Sequence, residues 1–426
     1  MFHFSLDLPE RMSERRVVVT GLGALTPLGN DPATTWDNIA NGVSGAGKIT
    51  KFDPQAFRTQ IACELKDFKA SDHLERGDIK RTDLFTQYAL ISSDQAIKDS
   101  GLEIENMSPY DVGVIWGTGQ GGMETFEQQI REYAENDYKP RFSPFFIPKM
   151  ITNMASGMIS MRNGYMGLNY TTVSACATSN TALMDAYNYI KWGKAKAIVS
   201  GGSEYPITEA SVGGFSAMKA MSTRNDDPEA ASRPFDVDRD GFVMGEGSVT
   251  LILEEYEHAK ARGATIYAEV VGASMTADAY HLTATHPEGL GATKAMQLAL
   301  DEAGLSIRDI DYLNPHATST PVGDISEIKA IRNLAGEDTG NLSISATKSM
   351  TGHLLGSAGA IEAFISIQAI RNNVIPPTIN TDNIDPKIDS DMDIVTGEAK
   401  EKIVKAAMSN TFGFGGHNGI VVFKEI

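Results

Sequence analysis

Cysteine is nearly absent: the chain has 426 residues and two cysteines, Cys63 and Cys176. That excludes a disulfide scaffold and suits a reducing compartment, so a cytoplasmic protein is expected. No uncharged apolar run approaches the ~18 residues of a membrane-spanning helix. The opening stretch, MFHFSLDLPERMSERR, lacks the continuous apolar segment of a secretory signal. Residues 1–14 are expected to be a disordered arm or the product of an upstream start, with Met12 a natural alternative start. Basic charge is also scarce: 37 Lys and Arg face 55 Asp and Glu, for a net charge of −18. Nucleic acid and anionic membranes are therefore poor partners, although a local basic patch is compatible with this balance.

Several chemistry-bearing motifs are missing too. No H-E-x-x-H or C-x-x-C points to zinc, so no metal is expected, and no G-x-S-x-G elbow marks a serine hydrolase. GTGQGG (117–122) matches a dinucleotide loop, but the fingerprint requires a second strand ending in an acid ~20 residues on. The proline-rich KPRFSPFFIPKM occupies that place. DVDRDGFVMGEG (236–247) opens like a calcium loop, but Gly247 stands where the closing glutamate belongs and Glu246 comes one position early. A structural turn is the better reading.

What is present is an α/β pattern with 42% hydrophobic residues. The length exceeds what one core usually serves, so two fused halves are expected. Strand-like runs fall at 15–21, 112–117, 168–173, 197–202, 249–255, 266–272, 310–316, 342–347, 405–410 and 419–426. A loose internal repeat accompanies them. VMGEGSVTLILEEY (243–256) and FGFGGHNGIVVFKEI (412–426) share a glycine turn followed by a strand. TTVSACATSNTALMDA (171–186) and SISATKSMTGHLLGSAGAIEA (343–363) both run from strand through a small-residue turn into a helix. RRVVVTGLG and IYAEVVGAS match in the same way. The halves are expected at 15–264 and 265–426.

Cys176 lies at one of these corners, in VSACATSN (173–180). A free cysteine is more often a small buried hydrophobe. Here it follows a strand, opens a helix and has Ser174, Ala175 and Ala177 as neighbours. Helix N-terminal amides favour a thiolate, so a nucleophile is the stronger reading. Cys63 alternates with polar residues in TQIACELKDF and reads as a half-buried structural residue. A nucleophilic thiol needs histidine nearby in space. Of eight histidines, His316 ends a strand in NPHATSTPVGD, and His353 precedes a small-residue helix in TKSMTGHLLGSAGA. His3, His73, His258, His281, His286 and His417 occupy less organised contexts. Lys348 shares the turn with His353, in the mirror position to Cys176.

These stretches, with SNTFGFGGHNG and STRNDDPEAASRPFDVDRDGFVMGEG, resemble the β-ketoacyl-acyl carrier protein synthases, in particular the elongating condensing enzymes of bacterial type II fatty acid synthesis. The resemblance runs from about Arg15 to the C-terminus. It implies a thiolase-like fold: duplicated βαβαβαββ halves in a five-layered αβαβα arrangement, usually as a homodimer. It implies Cys176 as the acyl-accepting nucleophile, His316 and His353 as the pair assisting malonyl decarboxylation, and Lys348 and Glu362 as their charged companions. Phe414 matches the gating phenylalanine and Phe412 its neighbour, and the amides of Cys176 and Phe414 would form an oxyanion hole. Thr318 and Thr320 match the supporting hydroxyls. No resident cofactor is implied, because phosphopantetheine arrives on acyl carrier protein, the expected partner. Arg76, Lys80, Arg81, Arg141 and Arg224 are candidates to meet that acidic protein.

The chain departs from the family at Gln120, which by resemblance lines the floor of the acyl pocket. A buried amide without partners costs ~1–3 kcal/mol, so Gln120 must be satisfied or meet a less apolar chain. Pro315, Ala317 and His417 are further departures; His417 reads as packing. Two alternatives stay open: a condensing enzyme of a polyketide or polyene route, and a non-catalytic carrier-protein-binding subunit, against which the retained Cys176, His316 and His353 count. A degradative thiolase would need a second cysteine in the C-terminal half.

Overall fold

Strands buried on both faces read as continuous apolar runs, whereas helices covering them carry one apolar stripe. Both patterns are realised in the computed structural model, which describes residues 14–337 and 339–426. The arm up to residue 13, with His3 and Met12, lies outside the described residues.

The first half runs β1 (Val17–Leu25), α1 (Leu84–Ser100), β2 (Val112–Gly117), α2 (Met123–Glu135), α3 (Met154–Asn163), β3 (Asn169–Thr172), α4 (Thr178–Lys191), β4 (Ala197–Glu204), α5 (Glu209–Ala217) and β5 (Gly247–Glu255). The second runs β6 (Ala268–Ala277), α6 (Leu290–Ala303), β7 (Tyr312–Asn314), α7 (Gly323–Ala335), β8 (Ser343–Ile344), α8 (Ala358–Asn372), β9 (Asp393–Ile394), β10 (Ala406–Gly413) and β11 (His417–Lys424). Without α2, α5, β9 and the peripheral short elements, such as the helix Pro32–Ala40, each half is βαβαβαββ. The strand order is β3-β2-β4-β5-β1 in one half and β8-β7-β10-β11-β6 in the other, with β9 beside β8. Matching pairs agree in sense: β2 lies parallel to β3 and β4, as β7 does to β8 and β10. The halves join edge to edge through a short antiparallel contact, in which Val17 meets Val270 and Val19 meets Ala268.

Side-chain alternation separates the layers. On β2, Val112, Val114 and Trp116 face an outer core with Phe85 and Leu90 of α1, while Ile115 faces inward. On β5, Val249, Leu251 and Leu253 point inward and Ile252 outward. The inner core holds α4 and α8, which pack against each other and against strands of both halves. The outer layers are α1 with α3 on one side and α6 with α7 on the other. That is the five-layered αβαβα arrangement. Helix α8 (AGAIEAFISIQAIRN) is buried almost all round, as a central helix must be. Gly359 is needed for its approach to α4, because a Cβ there would stand 2.5 Å from Asn180 Oδ1.

The sequence-predicted strands recur with shifted ends: 266–272 runs on to Ala277, and 310–316 shrinks to Tyr312–Asn314. The chain leaves the sheet there to form the turn carrying His316. The segment around KPRFSPFFIPKM forms the short helix Phe146–Met150 and no strand, in keeping with the rejection of a dinucleotide fold. The 236–247 stretch is a braced turn. Asp236 accepts from the amides of Asp238 and Asn383, and Arg239 ties Asp385 to the carbonyls of Thr320 and Pro321. Cys63 is fully buried, not half-buried, because its strand is covered by the 243–246 and 352–353 turns. No helix of the described residues is long and apolar enough to cross a membrane.

Candidate active site

The corner between β3 and α4 is set by one strained residue. Ala175 adopts φ +52°, a left-handed conformation that costs a non-glycine residue about 1–2 kcal/mol. Thr178 holds it: its hydroxyl accepts from the Ser174 amide at 2.9 Å and donates to the Ala175 carbonyl at 2.6 Å. Cys176 is thereby fixed at the entry to α4, between the two halves. The equivalent corner of the second half, between β8 and α8, supplies Lys348 and His353, and the turn after β7 supplies His316.

These groups meet. His353 Nε2 lies 3.0 Å from Cys176 Sγ. The His316 and His353 rings sit edge to face with centroids 5.2 Å apart, and the thiol and one nitrogen from each ring lie within 4.8 Å of one another. His353 is held by its backbone, donating to the Val243 carbonyl at 2.7 Å and accepting from the Gly245 amide at 2.9 Å. His316 and Ala317 donate their amides to Glu327 of α7, at 2.9 and 2.8 Å. Phe412 packs beside His316. Lys348 is buried and paired with Glu362 of α8.

Burial dominates the electrostatics. Both imidazoles are held well below the ordinary histidine range by burial, and the positive charge of Lys348 lowers them further. They are neutral at pH 7. The thiol is pushed up to about 12 by burial, against the pull of Lys348 and a hydrogen bond from the Phe414 amide. This corrects the expectation that the helix end alone favours a thiolate: the loss of water outweighs it. The resting pair is thiol and neutral imidazole. Alkylation of Cys176 by iodoacetamide should therefore rise about tenfold per pH unit between pH 7 and 9, without a plateau. Peptide mass spectrometry checks this, and a plateau near neutrality would contradict it.

A cavity of about 330 Å³ opens from the thiol to the surface. His316, His353, Phe412, Phe414, Thr318 and Thr320 line it. The half-buried Phe414 follows Gly413, where a Cβ would meet the Ser174 carbonyl at 2.5 Å, so only glycine lets this loop reach the nucleophile turn. Gln120 does not line this cavity. Its side-chain oxygen accepts from Ser211 of α5 at 2.9 Å, and its backbone N–H donates to Glu204 at 2.9 Å. The side-chain oxygen is thus satisfied inside the protein. Arg76, Lys80, Arg81 and Arg141 are exposed and stand apart from the cavity lining. Arg224 is half-buried and bonded to the Asp238 carbonyl. Lys219, which the sequence reading passed over, is an exposed cation on the cavity wall. His417 starts β11 behind the Phe414 loop.

Two buried carboxylates were also passed over. Glu327, shifted up to about 7 by burial, fixes the His316 turn and accepts from Asn410. Glu204, shifted up to about 6 by burial, receives the amides of Gly119, Gln120 and Gly356 and so links the halves beside the site. A signal for Glu327 was legible: in α7, Asp324, Glu327, Ile328 and Ile331 share the buried stripe, where acids are costly unless employed.

The chain matches the family model for the β-ketoacyl synthase N-terminal domain over residues 14–259 and that for the C-terminal domain over residues 267–382. It is 49% identical over 411 residues to 3-oxoacyl-[acyl-carrier-protein] synthase 2 of Staphylococcus aureus (strain N315), covering 96% of this chain and 98% of that one. It is 48% identical over 414 residues to the protein of the same name from Synechocystis, covering 97% and 99%. A solved type II PKS acyl-carrier protein in complex with its ketosynthase bound to the hexaketide includes a chain that superposes with a TM-score of 0.88 at 30% identity, over 97% of this chain and all of that one.

Proposed function

The chain belongs to the β-ketoacyl synthase family, and from that premise we propose that it elongates acyl chains on acyl carrier protein by decarboxylative condensation, in fatty acid synthesis. The observation that carries the reading is the meeting of Cys176, His353 and His316 at the end of one cavity. The greater identity to fatty-acid enzymes than to the polyketide ketosynthase favours the fatty acid route.

In the first half-reaction, Cys176 sulfur attacks the carrier-bound thioester. The thiol proton passes to neutral His353 Nε2, and from there to the departing pantetheine thiolate as its bond to the acyl carbon breaks. The amides of Cys176 and Phe414 face the oxygen that becomes negative. In the second, malonyl on another carrier protein loses CO2. The electron pair is left as an enolate whose oxygen takes hydrogen bonds from the ring N–H of His316 and from His353 in the tautomer that carries its proton on Nε2, open to it once the acylated sulfur no longer donates there. The carbanion then attacks the acyl-Cys176 carbonyl, the sulfur leaves as a thiolate that takes up one proton from solvent to restore the thiol, and β-ketoacyl-carrier protein departs. Burial, helped by the nearby positive charge of Lys348, keeps both imidazoles uncharged. Thr318 and Thr320 stand along the passage for the pantetheine arm. The chain uses no resident cofactor or metal in this sequence.

The carrier protein is acidic, and this chain carries −18, so its docking surface must gather local positive charge. Lys219 at the cavity wall joins Arg76, Lys80, Arg81, Arg141 and Arg224 as candidates. The reading extends to a cytoplasmic homodimer. Phe126 and Phe142 both pack on Phe146 and are exposed, as is the neighbouring Ile147, apolar surface of the kind that subunit association covers.

The test is mass spectrometry of the purified protein with acyl-carrier protein. A thioester on Cys176 is expected, followed by a β-ketoacyl product two carbons longer once malonyl-carrier protein is added; absence of the adduct sinks the proposal. The His316→Ala variant separates the steps. It should acylate at near the parent rate, while CO2 release falls about 10²–10³-fold, the usual cost of one oxyanion donor.

A further inference from the structure

We infer that the thiol and two imidazoles also form an inhibitory site for a soft divalent cation, with Zn²⁺ the best fit. The donor set is cysteine sulfur with two neutral histidines, the ligand types that zinc prefers. The sulfur and one nitrogen from each ring already lie within 4.8 Å of one another. Zinc–sulfur and zinc–nitrogen bonds of about 2.3 and 2.0–2.1 Å require tetrahedral edges of about 3.3–3.6 Å. Side-chain rotation can supply that contraction without moving the fold, and the 3.0 Å Sγ–Nε2 contact need only open slightly.

The surroundings agree. Three buried acidic side chains, Glu204, Glu327 and Glu362, stand behind the donors, and Lys348 is paired with Glu362. The cavity gives an ion a path from the surface and leaves the fourth position to water. Binding is balanced as follows: the hydrated ion loses water, the Cys176 S–H bond breaks, a sulfur–metal bond forms, and the proton goes to solvent. The Nδ1 atoms of both rings lack hydrogen-bond partners, so no outer layer of groups locks the ligands. Occupancy is therefore reversible by chelators and not a permanent feature of the fold.

The site was invisible to motif reading because its ligands come from positions 176, 316 and 353, far outside any short zinc spacing. Its inhibitory consequence rests on the proposed acyl transfer, since the metal holds the thiol that the transfer uses; its existence does not.

Cobalt(II) is the probe. Chelator-treated protein titrated with Co²⁺ under anaerobic conditions is expected to bind one equivalent and to develop sulfur-to-cobalt charge-transfer absorption, which Zn²⁺ then bleaches. The band should vanish in Cys176→Ala and survive in Cys63→Ala. His353→Ala, which removes a ligand outright, should weaken Co²⁺ binding by more than the ~10–100-fold that loss of an outer partner costs. Parent protein alkylated at Cys176 should be equally blind to Co²⁺, a control that does not depend on the variant folding. A parent protein without the charge-transfer band, or a band that persists after Cys176 is removed or alkylated, overturns the inference. Because the readout is spectral, it can fail while the carrier-protein adduct on Cys176 forms normally, and the reverse.

Discussion

Replacing Cys176 by alanine is expected to abolish the acyl-enzyme and to lower condensation by roughly 10⁴–10⁶-fold, the range seen when a covalent nucleophile is deleted. The loss should appear in kcat with little change in stability. Cys176 is small and buried, and its removal leaves the turn built by Ala175 and Thr178 intact. The variant should still release CO2 from malonyl-carrier protein, because the imidazole donors do not depend on the sulfur. Quantifying CO2 and β-ketoacyl product side by side checks both parts. Near-parental condensation would move the nucleophile elsewhere. Loss of both reactions together would mean that the thiol organises the histidines as well as reacting.

The separation of those two reactions reflects how the site is built. The nucleophile comes from the β3–α4 corner of one half, and Lys348 and His353 come from the equivalent β8–α8 corner of the other. Sequence reading found this because each corner leaves a local trace: strand, small residues, then an apolar helix. The repeat was legible for the same reason, since strand and glycine turn recur in β5 and β11. Less was legible where the decisive partner is distant in sequence. Glu204 reaches Gly356 across 152 positions, and Glu327 holds the His316 turn from the next helix. The direction of the Cys176 shift was misread because a helix end is local, while the burial that outweighs it is produced by both halves together. The partner of Gln120 was not legible, because Ser211 lies on α5, an inserted helix that the twofold plan of the chain does not contain.

The buried ion pair supports a second large effect. Lys348 and Glu362 are both almost fully shielded from water, and Glu362 is drawn upward by burial while Lys348 pulls it back. Removing one partner leaves the other buried without its counter-charge, which typically costs about 3–5 kcal/mol. Lys348→Met should therefore lower the midpoint of urea unfolding markedly, and Glu362→Leu should do the same. The double variant replaces both charges with apolar groups of similar volume and should recover most of the lost stability, because the desolvation that opposed the pair disappears with it. It should not recover activity. Without the charge of Lys348, one of the influences holding His316 and His353 below the usual histidine range is gone, so the pair takes up protons at higher pH than in the parent. The acid limb of the decarboxylation profile should shift upward in the double variant as in Lys348→Met. Stability and the pH profile thus part company: if both returned together, the pair would serve packing alone, and if neither returned, the desolvation argument would fail.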